Sequence, residues 1–399
     1  MKFGYSQKDF KLAEKYVHTV LGMDELFRKN LADSEASFSS EGLVPVILTK
    51  IENKPVSGWL EAKEALKGLY EEYKTLENDI RRNYMSEQIA STMLLGEWVF
   101  EKNDFEYRYL VQNLLQVDPN PVTENQRKML HRKLDMLLSN KNYKGSLKDK
   151  VEAWRKEHAV EKASLGPVLK ELIEAAKEQT VEFGIKEVAD ISIEPVVVHD
   201  VPYNAYIDFL GNQMLINGDL EHTYEDLKHL ITHETFPGHT AHMEVRRQRV
   251  EAGDIPLDAA LVFTNTASSS IFEGIADNGA RFLEWDKPLD DQINQLIQAA
   301  KSTASYGAAH MLHEEKKGVE AVKQYLRDYA FMNEAAVNSR VRFISHPFRK
   351  TFMYAYWRGN EAVYRAYKNV SKEQFPQFIS YLYGNMHSAN TVNQFNTIF

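Results

Sequence analysis

The stretch THETFPGHTAH at residues 232–242 restricts the local fold more than any other part of the chain. His233 continues an apolar helical pattern, but Pro237 and Gly238 follow before the next histidine, His239. Proline lacks a backbone N–H and its ring clashes with the carbonyl four residues back, whereas glycine adopts the backbone angles of a bulge. The stretch therefore predicts a helix that is interrupted at its Pro-Gly pair.

This interruption decides which histidines can face one ion. A regular helix turns by about 100° per residue, so residues six apart lie about 240° out of register. His233 and His239 can therefore share an ion only if residues 236–238 loop out of the helix. His229 and His233 are four residues apart and need no such distortion, so they form an alternative pair. His242 lies three residues after His239, and its role stays open.

The residue types limit the kind of metal site. The 399 residues include no cysteine, which excludes thiolate zinc sites, iron–sulfur clusters and disulfides. Histidine and carboxylate ligands suit zinc and related divalent ions. Glu234 follows His233 as the general base follows the first ligand in zinc-peptidase helices. Glu273 is the candidate third ligand, and Asp277 lies one helical turn later, where it can orient a ligand histidine.

Helical periodicity covers most of the chain. Helices are predicted at residues 58–80, 85–100, 123–138, 147–158, 165–183, 261–284, 289–315, 319–332, 334–343, 349–368 and 372–383. The pattern changes near residue 188. We therefore expect a helical N-terminal lobe at 1–187 and a metal-binding catalytic lobe at 188–399, joined as one integrated unit.

Strand patterns cluster directly before the His-Glu helix. Short β-branched segments predict strands at 191–198, 203–206 and 213–217, and Pro195 requires that the first be an edge strand or a broken one. Thr223 is a candidate N-cap for the following helix. The sequence thus predicts a mainly α fold with a small two- or three-stranded sheet before this helix.

Charge and hydropathy limit the partners. The formal net charge of −9 argues against a nucleic acid, because phosphate binding needs a basic surface. No run approaches the roughly 20 apolar residues that span a bilayer, and the first residues lack the apolar core of a signal peptide. We expect a cytoplasmic protein without a membrane partner, and the sequence leaves its oligomeric state open.

The motifs together resemble a known family. HETFPGH at 233–239, followed by EGIA at 273–276, is similar to the bacterial family called domain of unknown function 885. That family is grouped with zincin metallopeptidases and is distantly similar to Taq-type carboxypeptidases. RFISHP at 342–347 and YWRG at 356–359 resemble two later segments of the family pattern. The resemblance covers about residues 191–368 and implies a zincin-like, helical metallopeptidase architecture.

The resemblance also implies roles for five residues. It favours His239 over His229 as the partner of His233, so that His233, His239 and Glu273 would hold Zn²⁺ and Glu234 would act as general base. Tyr356 would donate to the tetrahedral intermediate, although its aromatic surroundings also fit core packing. The implied function is zinc-dependent cleavage of small peptides, carboxypeptidase-like in outline. Two alternatives stay open: a metal-dependent amidohydrolase acting on non-peptide amides, and a non-catalytic zincin-shaped peptide-binding protein.

The chain departs from the family pattern in two places. Thr240 stands where the family usually has a second histidine, and the segment 305–313 lacks an aspartate that the family often carries. Both changes affect substrate detail and not the proposed ligands. Basic side chains that could bind a substrate carboxylate follow late in the chain, and the sequence does not choose among them. They are Arg342, His346, Arg349 and Arg358.

Overall fold

The structure, a computed structural model, describes residues 4–30, 41–52, 55–201 and 203–398. The fold is mainly helical, as the periodicity predicts. The α-helices of the described residues are α1 Gln7–Lys29, α2 Trp59–Tyr73, α3 Asp79–Phe100, α4 Tyr107–Leu115, α5 Glu124–Asn140, α6 Leu147–His158, α7 Leu165–Glu182, α8 Tyr224–Glu234, α9 His239–Glu251, α10 Ser269–Asp277, α11 Gly279–Phe282, α12 Leu289–His313, α13 Val319–Tyr329, α14 Glu334–Ser345, α15 Met353–Tyr367, α16 Phe375–Tyr383 and α17 Phe395–Ile398. The strands are β1 Val46–Ile47, β2 Glu194–Val198, β3 Ala205–Asp208, β4 Gln213–Asn217 and β5 Leu261–Val262.

A three-stranded sheet directly precedes α8, as predicted. β4 lies in the centre, with β2 parallel on one side and β3 antiparallel on the other. Pro195 lies in β2, which is an edge strand with β4 as its one neighbour in this sheet. Proline lacks an N–H for the strand hydrogen bonds and is tolerated at such an edge. Thr223 caps α8, since its hydroxyl accepts a hydrogen bond of 3.1 Å from the backbone N–H of Asp226.

The predicted helix at 261–284 is wrong over its first part. Leu261 and Val262 form β5, which pairs antiparallel with β1. The next residues bond their side chains to the backbone: the Ser269 hydroxyl accepts from the Thr266 N–H and donates to the Phe263 carbonyl, both at 3.1 Å. Such local bonds compete with helix formation. The helix therefore begins only at Ser269, as α10.

The chain forms two compact units, each assembled from separate stretches. The first comprises Met1–Pro119, His242–Gly274 and Tyr354–Phe399, and the second comprises Asn120–Ala241 and Ile275–Met353. The predicted division between residues 187 and 188 falls inside the second unit.

Each unit has its own interior. In the first, the buried guanidinium of Arg81 pairs with the carboxylate of Asp258 at 2.6 Å. In the second, side chains of α5, α6 and α12 pack around Trp154, which is 1% exposed. This apolar cluster fixes α12 within the unit that carries α8.

Candidate metal centre

The His-Glu helix is interrupted where the sequence predicts. α8 ends at Glu234 and α9 begins at His239. The peptide bond between Phe236 and Pro237 is cis. The rings of His233 and His239 lie 4.7 Å apart between centroids, with their planes 85° apart. The interruption thus brings the two histidines together, as the helical geometry requires.

Gly238 and Thr240 hold the interrupted segment in place. A Cβ on Gly238 would lie 1.8 Å from the carbonyl oxygen of His233, so only glycine fits at this position. The Thr240 hydroxyl donates to the carbonyl of Glu234 at 3.0 Å and so joins α9 to the end of α8. Thr240 therefore has a structural role at the position where the resembling family carries a histidine.

Asp277 orients His233. Its carboxylate lies 2.9 Å from Nδ1 of His233, and both side chains are largely buried. The Asp277 carboxylate accepts a hydrogen bond from the ring, so we assign the proton of the neutral imidazole to Nδ1 and its lone pair to Nε2. Gly279 permits this approach, because a Cβ there would lie 2.3 Å from the Thr232 carbonyl oxygen. The contact is the one expected from the spacing of Glu273 and Asp277.

Glu273 lies four residues before Asp277 on α10, so the two carboxylates share one side of the helix. His233, His239 and Glu273 each offer one ligand atom, and these atoms all lie within 4.8 Å of one another. The three residues are 8%, 6% and 6% exposed, respectively. Two imidazoles and one carboxylate form a donor set that catalytic zinc sites use. The residues therefore fit the metal that the sequence implies.

A second group of possible ligands also lies close together: the ligand atoms of His229, His233 and Asp277 are within 4.8 Å of one another. Burial is the largest cause of the low pKa of His229, which is about 4; the charge of Asp277 opposes this lowering, and that of His233 adds to it. Nδ1 of His233 and the Asp277 carboxylate already bond to each other. We therefore take His239 and Glu273 as the partners of His233, and Asp277 as the residue that orients its ring.

Two motif glycines bring α10 and α15 into backbone contact. A Cβ on Gly359 would lie 1.8 Å from the Ser270 carbonyl oxygen, and a Cβ on Gly274 would lie 2.3 Å from the Gly359 carbonyl oxygen. Tyr356 is half-buried on α15, about one turn before this crossing. The EGIA and YWRG motifs, about eighty residues apart in sequence, therefore meet in the fold.

The remaining candidates have other surroundings. The His242 ring packs against Phe272 and Tyr383, each with its centroid 5.7 Å away. Arg358 bonds to the carboxylates of Asp118 at 3.0 Å and Glu361 at 2.7 Å. Both residues thus have partners that fit a structural role. Arg342 is exposed, Arg349 is buried, and His346 is half-buried.

Replacing Asp277 with Asn should weaken zinc binding about 10- to 100-fold, because a neutral amide is a poorer acceptor for the His233 ring N–H. A competition titration with a chromophoric chelator measures this affinity. Asp219→Asn is a matched control, since Asp219 accepts from His199 at 2.6 Å in an exposed pair away from these ligands. Equal zinc affinity in the Asp277→Asn variant and the control would show that Asp277 does not support a metal ligand.

Comparison with known proteins indicates a shared fold only. No protein-family model matches the chain, and no curated protein matches it. A solved "putative lipoprotein from Colwellia psychrerythraea" gives a TM-score of 0.53 at 14% identity, over 86% of this chain and 70% of that one. A "putative lipoprotein of unknown function from Shewanella oneidensis" gives a TM-score of 0.49 at 12% identity, over 97% of this chain and 73% of that one. Within the described residues, no helix has the length and apolar character needed to cross a membrane.

Proposed function

We propose that this protein is a cytoplasmic, zinc-dependent hydrolase that cleaves small peptides and has a zincin-like architecture. One observation carries the proposal. Two histidines and a glutamate offer ligand atoms within 4.8 Å of one another, beside a glutamate at the end of an interrupted helix. A structural role alone gives no reason to gather three ligand side chains that are each less than 10% exposed.

Each residue then has a defined task. His233, His239 and Glu273 would hold zinc, which supplies a Lewis acid and lowers the pKa of a water molecule. Glu234 accepts the proton of the attacking water and passes it to the leaving amine. Tyr356 donates a hydrogen bond to the oxyanion as it forms, without adding a charge.

The direct test is metal content together with peptide hydrolysis. We expect about one zinc per chain by mass spectrometry, loss of hydrolysis of a short-peptide library after treatment with a chelator, and recovery with added zinc. Protein that binds no metal would contradict the proposal. Hydrolysis of acylated amino acids without any peptide cleavage would instead favour the amidohydrolase. Bound zinc without hydrolysis of either would favour a peptide-binding protein.

A further inference from the structure

The outer face of helix α5 carries two exposed methionines. Leu134 and Leu138 of this helix are buried in the apolar cluster around Trp154. Met129 and Met136 lie seven residues apart on the opposite face, where they are 67% and 54% exposed, respectively. A single exposed apolar side chain is ordinary, but two on the same helix face form an apolar strip about 10 Å long.

Basic side chains border this strip on both sides. Arg132 and Lys133 are exposed. At about 100° per residue, they project on opposite sides of the line that joins Met129 to Met136. Long basic side chains extend their charged ends away from an apolar contact and into water or lipid headgroups. An apolar centre with basic edges therefore suits a helix that lies at the interface between lipid and water.

The positive charge at these edges is not neutralised within the part of the protein that the structure describes. The carboxylates of α5 pair elsewhere, Glu124 with Lys128 at 2.6 Å and Asp135 with Lys150 at 2.7 Å. Neither basic side chain beside the strip forms an ion pair with a described residue. Residues 124–148 contain seven lysines and arginines and two acidic residues, whereas the whole chain has a net charge of −9. An anionic surface therefore attracts this helix and repels the chain as a whole, which favours one orientation.

The shape of the face selects among anionic partners. Proteins bind peptides in grooves or along sheet edges, and the outer face of a single helix is convex. A two-fold contact with a second copy of the chain would place Arg132 and Lys133 against their own copies, and like charges oppose such a contact. A bilayer surface is broad, and its headgroup region accommodates a helix that lies in its plane.

We propose that the outer face of α5 is a docking surface for membranes that contain anionic phospholipids. Met129 and Met136 enter the headgroup region, and Arg132 and Lys133 bind the lipid phosphates and carboxylates. The cytoplasmic leaflet of a membrane supplies the required negative charge. The expectation of no membrane partner depended on the lack of a spanning segment, and a surface contact requires none. The contact does not involve the candidate metal centre.

Vesicle flotation measures this contact. We expect the protein to bind vesicles of phosphatidylcholine with phosphatidylserine at low ionic strength, to bind pure phosphatidylcholine weakly, and to dissociate in high salt. Arg132→Gln combined with Lys133→Gln should weaken binding about 25-fold, since each basic side chain near an anionic surface contributes about fivefold. Lys316→Gln combined with Lys317→Gln removes the same charge at two exposed lysines and should retain most of the binding.

The methionines are tested separately from the charge. Met129→Gln combined with Met136→Gln should weaken vesicle binding about tenfold, because less apolar surface leaves water. The matched control combines Leu60→Gln with Leu210→Gln, at side chains that are 76% and 72% exposed, and should bind as the wild type does. The chain has no cysteine, so Met136→Cys provides one attachment point for an environment-sensitive dye. Its emission should shift to the blue on anionic vesicles, and the same dye at Leu210→Cys should not respond.

Several outcomes would overturn the proposal. They are equal binding to neutral and anionic vesicles, equal losses in the α5 charge variant and its control, and an unchanged emission from the dye at Met136→Cys. Binding to soluble polyglutamate without binding to vesicles would assign the face to an acidic protein instead. The replaced side chains are exposed, so each variant should keep the wild-type Tm. The dye tests the contact in a protein that retains both basic residues, so it does not depend on the charge variants.

Discussion

Glu234→Gln should reduce kcat/KM for peptide hydrolysis about 10³-fold and leave zinc content unchanged. The amide has the size of the carboxylate but cannot accept a proton, and general-base catalysis typically contributes 10²- to 10⁴-fold. The fold should not change, because the contact that joins this residue to Thr240 uses its backbone carbonyl and not its side chain. Steady-state kinetics with metal analysis on the same preparation measure both quantities.

Two further variants sharpen this result. Glu234→Asp keeps the charge but shortens the side chain, so we expect an intermediate loss of activity. Glu221→Gln, at an exposed glutamate shortly before α8, should retain full activity. An unchanged rate in Glu234→Gln would remove the proposed base. Loss of zinc from that variant would mean that Glu234 acts as a ligand.

The sequence predicts much of the fold because the relevant signals are local. The bounds of α6 match the predicted helix at 147–158, and Thr223 caps α8 as expected, since periodicity and capping depend on neighbouring residues. The error at 261–268 has the opposite origin. β5 pairs with β1, more than two hundred residues earlier in the sequence, and the residues around β5 contain no pattern that predicts this pairing.

The same distinction applies to the candidate site. The interruption after Glu234 follows from proline sterics, and the contact of Asp277 with His233 follows from helical spacing. The hydrogen bond from Thr240 to the end of α8 was not predicted. It depends on the conformation of the interrupted segment, which places the Thr240 hydroxyl next to the Glu234 carbonyl.

Gly238→Ala should both destabilise the protein and impair zinc binding. The added Cβ would lie 1.8 Å from the carbonyl oxygen of His233 and 2.5 Å from that of Thr232. Both neighbours are backbone atoms, so no side-chain rotation relieves the clash, and the end of α8 must shift. Overpacking of this kind costs about 3 kcal/mol or more. The shift displaces His233, which shares the proposed ligand set with His239.

A matched glycine separates this steric effect from the general effect of the substitution. Gly68 lies in the exposed interior of α2, and a Cβ there would meet nothing within 4 Å. Gly68→Ala should therefore stabilise the protein by about 0.4–1 kcal/mol. Chemical denaturation in excess chelator gives the stability of each metal-free variant, because bound zinc would otherwise add its own linkage term. If Gly238→Ala keeps wild-type stability and zinc affinity, the close approach at His233 does not shape the metal site. If Gly238→Ala lowers zinc affinity but leaves stability unchanged, the interrupted segment is needed for the metal site and not for the stability of the fold.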